Sequence, residues 1–266
     1  MNALDTVLAG ISRPVVACSG GVDSLLLATL AHRRCPETTV VAHDVTPAVP
    51  AAATARVIDY ARTEGWDLHL VHSEEFTDQR YLANPRNRCY FCKSHLYDAL
   101  DTLADRLGIA GATVLSGANT DDLGEYRPGL AAAAEHGVRH PYIEAGVGKA
   151  EIRRIAGRLG LDCAELPASP CLASRLYTGT AVTATRLRAI EVGEELLRSL
   201  TGLDVVRCRI SGNDVLVEVE ATARVEPEVL GRVAEAMRRL EPSLAEIRLD
   251  ERPYRPGRAF ALTAAS

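Results

Sequence analysis

The chain has 266 residues, 47% hydrophobic and 24% charged, with a formal net charge of −5. That length suits one large domain or two modest ones, and the composition carries no disorder signature. The acidic balance excludes a broad nucleic-acid face, and no apolar run is long enough to span a bilayer. Asp5 and Arg13-Pro14 interrupt any secretory apolar stretch, so a cytoplasmic protein with neither a nucleic-acid nor a membrane partner is expected.

Apolar, β-rich stretches alternate with helical patterns through the first two-thirds. Strands are predicted near 14–18, 38–43, 67–72, 112–117 and 139–144, and helices near 22–34, 50–65, 93–108, 129–137 and 149–160. Such alternation predicts an α/β domain built on a parallel sheet covered on both faces. From about residue 167 the texture changes to a proline-bearing loop. A helix over Thr183–Leu200, a hairpin of 205–210 and 215–219 about Ser211–Asp214, a helix from Pro227 to Leu240 and a short strand at Ile247–Leu249 follow. The expected division is therefore 1–170 and 171–266, the second a smaller α+β domain.

The first strand, Val15-Val-Ala-Cys18, runs into Ser19-Gly20-Gly21-Val-Asp23-Ser24 and then directly into a helix. A strand–turn–helix of this kind aims bare N–H groups and a helix N-terminus at an anion. The Walker A pattern is absent, so γ-phosphoryl transfer is not the leading chemistry. The glycines let the backbone approach pyrophosphate oxygens, and Ser19 and Ser24 carry hydroxyls that hydrogen-bond it. Asp23 suits Mg²⁺ or a neighbouring amide, since a phosphate would repel it.

The string resembles the PP-loop of ATP pyrophosphatases, which cleave ATP between its α- and β-phosphates and adenylate a substrate. That resemblance implies a five-stranded sheet of the adenine nucleotide α-hydrolase type, order 3-2-1-4-5. The ends of strands 1 and 4 would then flank one nucleotide, bringing Ser116-Gly-Ala-Asn119-Thr-Asp121-Asp122 to the turn. Asp121 or Asp122 would supply a metal oxygen there, or else simply sit at an exposed helix N-terminus. Lys149 opens a helix where the family pattern puts a phosphate-facing cation, a solvated surface lysine being the other reading.

Seven cysteines, an odd number, read as thiols or metal ligands rather than disulfides. Cys89 and Cys92 stand at C-x2-C spacing entering a helix, compatible with one metal centre or a redox pair. Cys171 lies in a proline-stiffened loop at the domain junction. Cys18, Cys35, Cys163 and Cys208 read as small buried residues, and His43, His69 and His72 as structural histidines.

Four strings, Asn84-Pro-Arg-Asn-Arg-Cys89-Tyr-Phe-Cys92-Lys93, Ser116–Asp122, Tyr126-Arg-Pro-Gly129 and Pro167-Ala-Ser-Pro-Cys171-Leu-Ala-Ser-Arg175, together resemble the LarE sulfur transferases over nearly the whole chain. Members act in making the nickel-pincer nucleotide cofactor of lactate racemase. They adenylate a carboxylate of pyridinium-3,5-biscarboxylate mononucleotide, release pyrophosphate and form a thiocarboxylate. In one branch the cysteine aligned with Cys171 gives up its own sulfur and becomes dehydroalanine. In another, three cysteines hold a [4Fe–4S] cluster that carries an exogenous sulfide. With Cys89, Cys92 and Cys171, this chain matches the cluster-bearing pattern; sacrifice of Cys171 and a zinc site are the alternatives.

The resemblance also implies ATP with Mg²⁺, contacts from Asn119, a homo-oligomer and a sulfide source for the cluster route. Arg207 and Arg209 alternate on one predicted strand and so share a face, where they would hold the substrate phosphate with Ser174 and Arg175. The other reading of the two arginines pairs them with Glu218 or Glu220. A tRNA thiolase also joins a PP-loop to three cysteines, but it needs the basic surface this chain lacks. NAD-synthetase-type ligases and universal-stress-type nucleotide sensors have no use for these cysteines.

Overall fold

The computed structural model describes residues 3–124, 126–220, 223–255 and 257–260. The chain forms two compact units, one of residues 1–75 and 89–169, the other of 76–88 and 170–266.

In the first unit, β1 (Pro14–Ala17), β2 (Val40–Asp44), β3 (Asp67–Val71) and β4 (Thr113–Ser116) form a parallel sheet in the order β3-β2-β1-β4. Alternation sorts the side chains to opposite faces. Val16, Val41 and Leu115 enter a core with helices α1 (Ala3–Ala9), α2 (Val22–Arg34), α3 (Ala51–Glu64) and α8 (Lys149–Arg158). Val15, Val40 and Val114 enter the opposite core, with the α5 (Arg88–Arg106) residues Leu96, Leu100 and Leu103 and Ala132 and Ala133 of α6 (Pro128–Glu135). Both faces are covered because parallel strands are linked by crossover helices.

The expected fifth strand at 139–144 is corrected to one bridge, Leu115 to Arg139. Pro141 has no N–H for a ladder and a φ suited to a first helical turn, so the chain turns at once into α7 (Pro141–Glu144).

In the second unit, β5 (Arg207–Ser211) and β6 (Asp214–Glu218) form an antiparallel hairpin, and β7 (Ile247–Leu249) joins β6 in parallel. Helices α9 (Ala184–Thr201) and α10 (Pro227–Leu240) belong to this unit. Gly193 permits their close approach, since a Cβ there would stand 2.7 Å from Met237 Sδ and 3.3 Å from Cys208 Sγ. Thr183 caps α9 by accepting the Arg186 N–H.

The segment 76–88, with the short α4 (Gln79–Leu82), lies between β3 and α5 in sequence yet packs into the second unit. Asn84 anchors it. This buried residue has φ 53°, and its amide donates to the carbonyls of Tyr177 and Thr180, both at 2.8 Å. Its Oδ1 accepts from Arg88, which also donates to the Ala173 carbonyl at 3.0 Å.

Candidate active site

The turn after β1 is held peptide by peptide. The Cys18 carbonyl accepts from Nδ1 of buried His43 at 2.7 Å, while His43 Nε2 lies 2.9 Å from Thr54 Oγ1. A carbonyl only accepts, so the proton resides on Nδ1 and the Thr54 hydroxyl donates to Nε2. Burial lowers the His43 pKa, which favours this neutral ring. The Ser19 N–H donates to Ser24 Oγ at 3.0 Å, and Ser24 Oγ lies 3.1 Å from the Gly21 carbonyl.

The Gly20 carbonyl takes a bond from Arg56 at 2.7 Å. Gly20 has φ 79°, and a Cβ there would stand 2.8 Å from the Ala53 carbonyl, so α3 backs the turn so closely that only glycine fits. No carbonyl accepts from the N–H groups of Gly20 and Gly21 among the described residues, the Gly20 N–H facing the Cys18 thiol, and no side chain caps α2. Those donors suit phosphate oxygens.

The β4 side meets this turn as the topology requires. A Cβ on Gly117 would lie 3.0 Å from Ser24 N and 3.2 Å from Asp23 Cβ. Buried Tyr142 donates its hydroxyl to the Asp23 carbonyl at 2.9 Å. Lys149 Nζ lies 2.5 Å from Asp23 Oδ2, and the Lys149 N–H donates to Asp121 Oδ2 at 2.8 Å. Exposed Asp121 lies in the first turn of a 3₁₀ helix, Thr120–Gly124, and its side chain also accepts the first N–H of α8.

Asn119 organises the same loop, its Oδ1 accepting from Asp121 N and its own N–H donating to Asp122 Oδ2, both at 3.0 Å. Asp122 pairs with Arg127 at 2.8 Å. Two residues escaped the sequence reading. His140, whose Nδ1 lies 2.8 Å from Ser116 Oγ, is one; no motif marked it. Arg56 is the other, hidden in an ordinary amphipathic helix.

Cys89 and Cys92 lie one turn apart on α5, both half-buried. Gly129 backs them, since a Cβ there would stand 3.0 Å from Lys93 Cγ and 3.6 Å from the Cys89 carbonyl. Burial works against the Lys93 charge, but Tyr97, Cys92, Cys89 and Asp44 outweigh it and raise its pKa. Tyr90 and Phe91 pack edge to face, and Tyr90 donates to Glu135 at 2.7 Å.

In the second unit Cys171 is exposed and opens a 3₁₀ turn over Leu172–Arg175. Buried Arg175 staples it, donating to the Pro170 carbonyl at 2.7 Å, to the Cys171 carbonyl at 3.3 Å and to Ser174 Oγ at 3.1 Å. Its other edge pairs with buried Glu194, Nε at 3.0 Å and Nη2 at 3.1 Å. Arg209 reaches Glu218 at 2.8 Å and the carbonyls of Ser174 and Arg255 at 3.1 and 3.3 Å. Arg207 and Arg209 do share a face, both standing over the Tyr254 ring.

Asp23 Oδ1 is buried without a hydrogen-bond partner, and an orphaned carboxylate oxygen beside a phosphate turn fits a hard cation such as Mg²⁺. Among the described residues no group of three or more His, Cys, Asp or Glu side chains is arranged to hold one metal ion. Two of the thiols expected at a cluster share a helix turn, and the third lies in the other unit. Thiolates are the right chemistry for iron and sulfur. Among the described residues no helix is long and apolar enough to cross a membrane.

No protein-family profile matches the chain. It is 39% identical over 209 residues, 79% of this chain and 77% of the relative, to an uncharacterized protein of Synechocystis sp.. An uncharacterized protein of Methanocaldococcus jannaschii is 29% identical over 206 residues, 77% of each chain. The pyridinium-3,5-bisthiocarboxylic acid mononucleotide synthase of Lactiplantibacillus plantarum is 30% identical over 223 residues, 81% of this chain and 78% of that one.

Proposed function

The chain belongs to the LarE family of ATP-dependent sulfur-inserting enzymes of nickel-pincer cofactor synthesis, and from that we propose which residues perform each half of the reaction. In the first half, Gly20 and Gly21 donate their N–H groups to the β- and γ-phosphates of ATP, with Ser19 and Ser24 alongside. Asp23 would hold Mg²⁺, which shields the phosphate charge. Asn119 and Asp121 keep the facing loop in shape, and Lys149 turns from Asp23 to the phosphates. A carboxylate oxygen of pyridinium-3,5-biscarboxylate mononucleotide attacks the α-phosphorus, the P–O bond to the β-phosphate breaks, and pyrophosphate leaves. The carboxylate becomes an acyl-adenylate, whose leaving group is AMP.

In the second half a sulfur nucleophile attacks the acyl carbon and the C–O bond to AMP breaks. We assign Cys89, Cys92 and Cys171 as the residues that would hold a [4Fe–4S] cluster, which would supply sulfide-level sulfur for this attack. Within the second unit Arg88, whose chain neighbour is Cys89, donates to Ala173, two residues past Cys171. The exposure of Cys171 favours a second reading. Its own thiolate attacks and forms a thioester, then loss of its α-proton breaks the Cβ–S bond, leaving a thiocarboxylate and dehydroalanine. Arg207, aided by Ser174, Arg175 and Arg209, receives the substrate phosphate. Assembly as a homo-oligomer belongs to the same reading and is measured by light scattering.

The observation that carries the reading is the turn itself: backbone N–H groups that no carbonyl takes, beside an orphaned Asp23 oxygen and a lysine. The test is pyrophosphate release with ATP, Mg²⁺ and the pyridinium nucleotide. Release that requires the nucleotide supports the reading; release stimulated by tRNA instead, or none with either, overturns it. Iron and labile-sulfide analysis after anaerobic purification, with the mass of Cys171 after turnover, separates the two sulfur routes.

A further inference from the structure

Three guanidiniums cluster in the second unit, and they are not equivalent. Arg175 is engaged by Glu194 and by the carbonyls of its own turn, and Arg209 by Glu218 and two more carbonyls. Arg207 makes one hydrogen bond, Nη1 to the Val206 carbonyl at 2.7 Å, and among the described residues it has no carboxylate partner. It is nonetheless largely buried. Burial, and then the nearby Arg175 charge, lowers its pKa against the opposing pull of Glu194, which forms no ion pair with it.

What Arg207 does have is an aromatic ring. Its Cζ lies 5.1 Å from the Tyr254 ring centroid, and Arg209 Cζ lies 5.9 Å away. Both are within the range where a ring face attracts a cation. The backbone that carries the ring is held in place: the Tyr254 N–H donates to the Val219 carbonyl at 2.9 Å, and the Asp250 N–H to the Val217 carbonyl at 2.8 Å. Arg258 pins the same stretch through Glu218 at 2.8 Å and Asp250 at 2.9 Å.

A carboxylate at the ring's position would fix Arg207 equally well, but it would neutralise the charge and occupy the N–H edge. A ring face does neither. We propose that Tyr254 is a positioning residue that holds Arg207 by its ring, leaving the guanidinium edge for the phosphate monoester of the substrate. This rests on the reading of Arg207 as the phosphate contact. The hydroxyl takes no part in the device.

The test compares KM for pyridinium-3,5-biscarboxylate mononucleotide and for its phosphate-free nucleoside in wild type, R207M, Y254F and Y254L. R207M is expected to raise the nucleotide KM strongly; Y254L is expected to raise it about tenfold, with kcat, KM for ATP and KM for the nucleoside unchanged. Y254F should behave as wild type. If R207M leaves the nucleotide KM alone, the phosphate reading fails and the inference with it. If R207M raises it and Y254L does not, or Y254F matches Y254L, the Tyr254 role alone is overturned. Should Y254L fail to fold, Y254Q replaces it, since it supplies polarity without a ring and the same KM rise is expected.

Discussion

Lys149 Nζ lies 2.5 Å from Asp23 Oδ2, so the cation assigned to the phosphates is neutralised by the acid assigned to the metal. In the proposed reading each stands where the other's ligand would bind, and Mg²⁺ with ATP would satisfy both once the pair parts. A partly buried charge left alone is costly, so the pair stabilises both side chains in this arrangement. Replacing Lys149 with Met is expected to lower kcat/KM for ATP about 10- to 100-fold, matching the ~1.5–3 kcal/mol of a charge-assisted hydrogen bond. Steady-state pyrophosphate release over an ATP series checks it.

Gly20→Ala forces a Cβ into a left-handed backbone with the Ala53 carbonyl 2.8 Å away. The neighbour is main chain and does not move aside. A loss of about 1–3 kcal/mol of stability, with ATP binding abolished, is expected from strain of this kind. Calorimetric ATP titration and thermal unfolding of the variant measure both.

His43 couples the turn to acidity. Its folded pKa lies below the ordinary 6.5 because burial disfavours the charged ring. The unfolded chain therefore binds the extra proton more readily as pH falls below about 6.5, and stability drops through that window down to the folded pKa. Asp44, on the same strand, opposes the shift without cancelling it. His43→Asn keeps an N–H for the Cys18 carbonyl but does not titrate, so its melting temperature should fall less steeply between about pH 7 and 5. An unchanged slope would remove His43 from this account, leaving His140, also lowered by burial, as the group to examine.

Cys171→Ser should separate the two halves of the reaction. The turn built by Arg175 uses backbone groups, not the thiol, so the variant should fold and still release pyrophosphate while forming no thiocarboxylate. In wild type, brief alkylation at neutral pH should mark exposed Cys171 well before Cys18, whose thiol is buried and pushed up to about 11. A pyrophosphate assay with mass analysis of the nucleotide product reads the first result, and peptide mass mapping the second.

Much of the fold was legible because period and punctuation agree locally. Val15 and Val16 alternate between two cores as a buried parallel strand must, and Pro227 opens α10 as expected. The fifth strand failed at Pro141, where a single missing N–H overrides a β-rich stretch. The strand–turn–helix that carries Gly20, Gly21 and Asp23 was legible from the string itself. The clamps were not: His43, Arg56 and Tyr254 act through contacts 25, 36 and 47 residues distant in the chain, respectively to Cys18, Gly20 and Arg207, and no motif carries such pairings. Arg209 and Arg175 were expected at a phosphate, and their pairing with buried Glu218 and Glu194 needs the register of β5 against β6 and of the Cys171 turn against α9.

The excursion of residues 76–88 into the second unit means that the polypeptide threads the two bodies as three covalent crossings, not one. A scissors cut in the loop near residue 170 would therefore not yield two autonomous halves. The downstream fragment would leave the carbonyls of Ala173, Tyr177 and Thr180 without the donors that Arg88 and Asn84 bring, and the upstream fragment would carry those donors on an orphan tongue. Complementation between such fragments, rather than independent refolding, is the behaviour this wiring dictates.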